Sequence, residues 1–137
     1  MAGVDRYRMQ LNESARRIAA RTGFSDWALV FQSRSGRPQD PWLEPDICDY
    51  LRAEHAQGLR ALVICPVGFV ADHVEVLYDL DHEAAETCRE LGIEVRRALT
   101  VNDDPLFLEL MADVVRATVS RYRGGRPLPI SSVSDPA

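Results

Sequence analysis

The segment from 66 to 83, PVGFVADHVEVLYDLDHE, constrains the fold more than any other part of the chain. The apolar run 61–65, ALVIC, stops at Pro66, and a loop carrying Gly68 follows. A helix then begins with Asp72, His73, Glu75, Asp79, Asp81 and Glu83, with no Lys or Arg among them. A short apolar run ending at Pro and Gly reads as a buried strand. A strand that feeds a short loop and an acidic helix start aims ligands at a hard cation or a proton.

Apolar periodicity predicts a helix over residues 7–21, stopped near Gly23, and a buried strand over 27–32. A loop rich in Gly, Pro and Arg covers 33–41, and a second helix covers 44–56. Strands follow at 59–65 and 93–98, separated by a long helix over 72–91 that ends at Gly92. The last helix spans 105–122, with Pro105 in its first turn. Strands alternating with helices predict an α/β fold: a three-layer α/β/α arrangement around a parallel, Rossmann-like sheet buried on both faces. Three strands make a thin sheet, so the chain is expected to be one lobe of a larger fold or to complete itself by pairing. Residues 1–123 are expected to form that lobe, and 124–137, rich in Gly, Pro and Ser, a flexible tail.

The 137-residue chain suits one domain, and its net charge of −5 excludes an electrostatic footprint for nucleic acid. No apolar run has the length of a transmembrane segment, and residues 1–10 lack the apolar core of a secretory signal. Cys48, Cys65 and Cys88 form no CxxC pair, so neither a disulfide framework nor a cysteine zinc site is expected. A reducing, cytoplasmic setting is the expectation.

In an open parallel sheet, ligands bind beyond the carboxyl ends of the strands. The loops that follow the first and second expected strands therefore belong on one edge, bringing the region of Trp42 to the region of Glu75. An aromatic wall beside carboxylates suits a large, flat, partly apolar ligand together with a metal or a proton.

FQSRSG (31–36), WLEPD (42–46), CPVGFVADHVEVLYDLD (65–81) and NDDPLF (102–107) together resemble the C-terminal half of a ferrochelatase. They stand in the family's order and at near-family spacing over residues 7–122. The 36–46 variant, GRPQDPWLEPD, is similar to coproporphyrin ferrochelatases of high-GC Gram-positive bacteria. The resemblance implies insertion of Fe(II), the substrate metal, into a porphyrin such as coproporphyrin III or protoporphyrin IX. It also implies a fold of two similar Rossmann-like lobes. It places the catalytic carboxylate at Glu75 with His73 beside it, and metal-binding carboxylates at Glu75, Asp79 and Glu83. Porphyrin contacts fall to Trp42, Gln32, Ser33 and Arg34.

The family's N-terminal metal histidine, in a segment of the AHSIP kind, has no counterpart here. The expected partners are thus the porphyrin and either a missing N-terminal lobe or a second copy of the chain. No cysteine follows Cys88, so no [2Fe-2S] cluster is expected. Two other functions stay open: a small homodimeric chelatase of cobalt or nickel tetrapyrroles, and a fragment that binds porphyrin or iron without turnover.

The same residues have plainer readings. Asp72 and Glu75 fit a capping box. Asp79 and Glu83 fit a solvated helix face, His73 a surface histidine and Trp42 a loop anchor. Arg34 and Arg37 suit either porphyrin propionates or solvent. Asn102 fits a turn. His73 and Glu75 lie about 200° apart on an α-helix, so they converge only if His73 precedes the helix. Glu75, Asp79 and Glu83, spaced by four, drift about 40° per step on an α-helix and align better in a π-type turn.

Overall fold

The computed structural model describes residues 2–32 and 43–125. Its organising element is a helical run that changes pitch twice. It begins as α3 (Val74–Val76), widens into a π-helical segment (Leu77–Ala84) and closes as α4 (Ala85–Leu91). The reason is legible in the burial. Val76, Ala84 and Cys88 are fully buried and Leu80 nearly so, a row spaced by four residues. At α pitch such a row would wind away from the core by about 40° at each step. Widening the turn slows that rotation and keeps the four side chains on one line. The Ala85 N–H is shared between the His82 carbonyl and the Leu80 carbonyl, the latter being the i→i−5 bond of a π turn. Gly92, at φ +69°, stops the run in the left-handed conformation that glycine adopts without strain.

This row packs against α2 (Ile47–Ala56), which contributes Ile47 and Leu51, and against Ile64 and Ile93. Asp46 caps α2, its carboxylate accepting from the N–H groups of Cys48 at 2.8 Å and Asp49 at 3.2 Å. The strands β1 (Ala61–Ile64) and β2 (Glu94–Arg97) pair in parallel, with Ala61 opposite Glu94 and Ile64 opposite Arg97. The helix between them makes this a βαβ unit.

The α/β class and the parallel pairing agree with the sequence. The number of strands does not: among the described residues the sheet has two. Residues 27–32 run to a single parallel bridge, Phe31 to Asp46, held by Phe31 N–H to Pro45 O at 2.9 Å and Ile47 N–H to Phe31 O at 2.8 Å. The apolar pattern of WALVFQ suits a strand, but a ladder needs a neighbour along its whole length, and Trp27 and Ala28 are exposed. Burial on both faces is corrected as well. Ile64 and Pro66 face the core, while Ala61, Val63 and Cys65 alternate outward and are exposed.

Helix α1 (Ala2–Thr22) approaches the loop after β1 at Gly68. A Cβ there would sit 3.3 Å from the Tyr7 hydroxyl and 3.6 Å from Leu11 Cδ2, so glycine is what lets the two come this close. The chain up to Asn102 is one compact unit. Helix α5 (Pro105–Arg123) belongs to a second unit. Asp104 caps it by accepting from Leu106 N–H at 2.9 Å, and none of its residues is buried. The expected tail lies, from residue 126 on, outside the described residues.

Leu51 is 1% exposed at the centre of this core. Leu51→Ala is expected to lower unfolding free energy by about 2–5 kcal/mol, measured by urea denaturation. A loss below about 1 kcal/mol would place the centre of the core elsewhere.

Candidate functional site

The site grows from the carboxyl end of β1. Two turn bonds, Val67 N–H to Cys65 O at 2.8 Å and Phe69 N–H to Pro66 O at 3.2 Å, fold the loop tightly after the strand. The loop is then tied to the segment after β2. Asn102, at φ +45°, accepts from Asp72 N–H at 2.9 Å and donates from its amide to Asp72 Oδ2 at 3.0 Å. The Thr100 hydroxyl donates to the same Asn102 oxygen at 3.0 Å. Arg97, the last residue of β2, completes the tie, donating to Asp72 Oδ1 at 3.0 Å and to both oxygens of Asp81.

These partners dispose of the capping box. The Asp72 carboxylate is engaged by Asn102 and Arg97, and the residue at the start of α3 is His73, whose side chain makes no capping bond. Glu75 therefore is not half of a reciprocal cap. His73 has extended backbone, φ −136° and ψ 173°, and its ring meets the edge of Phe69 with centroids 5.0 Å apart. It precedes the helix, the geometry in which it can converge with Glu75. Asn102 has a turn role and a second one, which its backbone pattern does not announce: it holds Asp72.

Glu75 is exposed and lines an open groove of about 1560 Å³. Phe31, Gln32, Leu43, Pro66 and Phe69 line it, as do Leu11 and Ile18 of α1. Gln32 is half-buried, and its amide nitrogen has no hydrogen-bond partner among the described residues. Trp42, Ser33 and Arg34 lie outside the described residues, as does Arg37.

One helical step on, Asp79 is half-buried, with one carboxylate oxygen enclosed and without a hydrogen-bond partner among the described residues. Burial pushes its carboxyl above the usual range, and Glu83, Glu75 and Asp46 add to the shift, with His73 opposing it. A step further, Glu83 is exposed in a separate cavity of about 460 Å³, beside Asp46, Cys48, Arg52, Tyr78 and His82. The row thus runs from the groove, through a half-buried member, to a second opening. Such an arrangement can pass protons or cations along the helix. The geometry does not gather the three carboxylates and His73 around one point, and no cluster with metal-ligand geometry occurs among the described residues.

A family model, Ferrochelatase, matches residues 1–119. The chain belongs to the ferrochelatase family. It is 46% identical to a coproporphyrin III ferrochelatase of Mycolicibacterium smegmatis, over 93% of this chain and 39% of that protein. It is 51% identical to one of Nocardia farcinica, over 83% and 32%. It is 48% identical to a ferrochelatase of Rhodopirellula baltica, over 84% and 33%. The chain spans about a third of the length of these relatives. No helix among the described residues is long and apolar enough to cross a membrane.

Two carboxylates on the same stretch should respond to acid with opposite signs. Asp72 is held below the usual carboxylate range, first by the Asn102 amide and then by Arg97, so the stability it contributes is present at neutral pH and is lost as pH falls through its folded pKa. Asp79 has a raised folded pKa, so its ionised form weighs against folding at neutral pH, and that penalty disappears on acidification. At pH 7, Asp72→Asn should lower Tm and Asp79→Asn should raise it. Each should converge on the wild type as pH falls below the folded pKa of the carboxyl it replaces. A lower Tm for Asp79→Asn at neutral pH would mean that its buried oxygen has a partner.

Proposed function

We propose that this chain is the part of an iron-inserting enzyme that holds one wall of a porphyrin site and the carboxylates that serve the metal. The observation that carries the reading is the position of Glu75. It stands on an apolar groove large enough for a tetrapyrrole, at the head of a row whose next member is a half-buried, unpartnered carboxyl. The relatives named coproporphyrin III ferrochelatase make coproporphyrin III the substrate to try first.

Metal insertion sets three tasks. Fe(II), the substrate ion, must lose water. The ring must give up two pyrrole protons. The flat ring must buckle so that its nitrogen lone pairs meet the ion. Oxygen ligands hold Fe(II) without the grip of thiolates, so Glu75, with Asp79 and Glu83 behind it, can accept the ion and release it to the ring. Glu75, or His73 at the start of the helix, takes a pyrrole proton as general base. Asp79, raised by burial and by its acidic neighbours, carries a proton at a higher pH than an ordinary aspartate and hands it towards Glu83 and solvent. Trp42, Gln32, Ser33 and Arg34 grip the ring, with Trp42 stacking on its face and Arg34 meeting a propionate. Contacts made better to the buckled ring than to the flat one lower the barrier.

The share of the relatives that the chain spans favours a second reading of its activity when alone: binding of porphyrin without turnover. Insertion then needs the remaining lobe, or a second copy in its place. A titration of coproporphyrin III followed by porphyrin fluorescence, then Fe(II) insertion followed by absorbance, separates the two. Binding with insertion makes the chain sufficient, binding without insertion makes it one wall of the site, and no binding of coproporphyrin III or protoporphyrin IX overturns the proposal.

Wherever insertion is measurable, Glu75→Gln should lower its rate by about 10²-fold or more while porphyrin still binds. An unchanged rate would remove Glu75 from both its roles. Trp42→Ala should weaken porphyrin binding by about tenfold, a loss of about 1.4 kcal/mol. Unaltered affinity would take Trp42 out of the site.

A further inference from the structure

A wide helical turn has poorer hydrogen bonds than an α-helix and needs something to hold it open. The buried row Val76, Leu80 and Ala84 says which side of the π segment faces the core. Apolar packing is non-directional, however, and does not by itself choose between two pitches that bury the same side. A directional restraint is present. The Arg97 guanidinium, only 13% exposed, joins the loop before the helix to the middle of the π segment. It donates to Asp72 Oδ1 at 3.0 Å, and through two nitrogens to Asp81, with Nη2 to Oδ2 at 2.9 Å. Its Nη1 also donates to the Ala98 carbonyl at 3.1 Å, which fixes the fork to the end of β2.

The far side of the same joint is rigid. Asp72 is bonded through its backbone and its side chain to Asn102, and Asn102 N–H reaches Val70 O at 2.9 Å. Ala98 N–H bonds Ile64 O at 2.8 Å, which ties the end of β2 to the end of β1. One planar cation thus fixes the distance from the helix start to Asp81. A wide turn places more residues in each turn and shortens the segment, so it draws Asp81 back towards Asp72. Tightening to α pitch lengthens the segment and moves Asp81 off the fork. Asp81 also follows Asp79 by two residues and so lies on roughly the opposite side of the helix. Arg97 holds the back of the helix while the carboxylate row faces the groove.

We infer that Arg97 is a positioning residue: by bridging Asp72 and Asp81 it holds residues 77–84 at π pitch and so keeps Glu75, Asp79 and Glu83 in one row. Without the bridge the segment reverts to i→i−4 bonding, and Glu83 turns away from the line of Glu75 by about 80°, two steps of 40°. The functional meaning of this rests on the role proposed above for the carboxylate row, but the geometry can be read without porphyrin or iron.

The test is nuclear magnetic resonance on the whole chain, using couplings across hydrogen bonds to identify the acceptor of Ala85 N–H. In the wild type this N–H is shared between the Leu80 and His82 carbonyls, and the coupling to Leu80 is the one that reports the π turn. In Arg97→Met the Leu80 coupling should be lost and one to the Asp81 carbonyl, four residues back, should appear, while amides of Leu51 and Ile93 report an intact core. Leu51→Ala, which weakens the core without touching the bridge, should keep the Leu80 acceptor. Asp81→Asn breaks the more exposed arm and should shift the acceptor in the same direction as Arg97→Met, so the question is decided even if Arg97→Met fails to fold. A folded Arg97→Met, or an Asp81→Asn, that retains Leu80 as acceptor overturns the inference. Failure of the chain to bind porphyrin would instead sink the functional proposal and leave this result standing.

Discussion

Two side-chain rows spaced by four residues lie next to each other on one helix, and their joint demands set its pitch. Val76, Leu80, Ala84 and Cys88 must all face the core, and each is buried. Glu75, Asp79 and Glu83 precede the first three by one position and have to run along the rim of that core. An α-helix cannot keep the buried row straight over its three steps or the acidic row over its two, because a four-residue spacing overshoots a 3.6-residue turn. The widened segment from Leu77 to Ala84 resolves this, and the short α-helical pieces on either side let the run start and end with ordinary bonds. Burial and the acidic line are consequences of one geometric choice.

That choice creates an electrostatic contrast within ten residues. Asp72 and Asp81 share Arg97, and Asp72 has the Asn102 amide as well, so their charges are compensated. Asp79 lies between them in sequence and has, among the described residues, no ion pair, one enclosed oxygen without a partner, and acidic neighbours on both sides of its row. A fold selected for stability alone would hardly leave a half-buried carboxylate in such a place, since apolar residues of similar size would serve better. Acids shifted by burial and by like charges are candidates for proton and metal chemistry. Here the compensated pair supports the frame and the uncompensated acid is left available.

Much of this was legible in the residues. The apolar run ending at Pro66, the loop with Gly68 and the Gly92 stop define the βαβ unit, and the four-residue spacing of the carboxylates already favours a π turn. The matching spacing of Val76, Leu80, Ala84 and Cys88 is the stronger signal, because it states the same period in the language of burial. Other features depend on partners that no local pattern names. WALVFQ is a strand by composition, but among the described residues only Phe31 finds a neighbour. Asp72 and Glu75 spell a capping box, yet Asn102, thirty residues away, takes the Asp72 carboxylate and backbone N–H for itself. Arg97 looks like an ordinary charge at a strand end. Its role depends on Asp72 and Asp81 arriving at the same point, which only the parallel crossover brings about.

The groove follows from the same imbalance of demands. Strand β1 turns Ile64 into the core and leaves Val63 57% exposed, so the βαβ unit is finished on one side only. An apolar concavity of this size beside polar groups is where a large ligand or a partner surface gains most from leaving water. For a flat ring the useful wall is one that does not move when the ring buckles. The loop that leads into the helix of Glu75 is fixed by Asn102 and Arg97 to the ends of both strands, through directional bonds and not through packing alone. On the function proposed above, a carboxylate on this fixed helix start would keep its place while a bound ring changed shape.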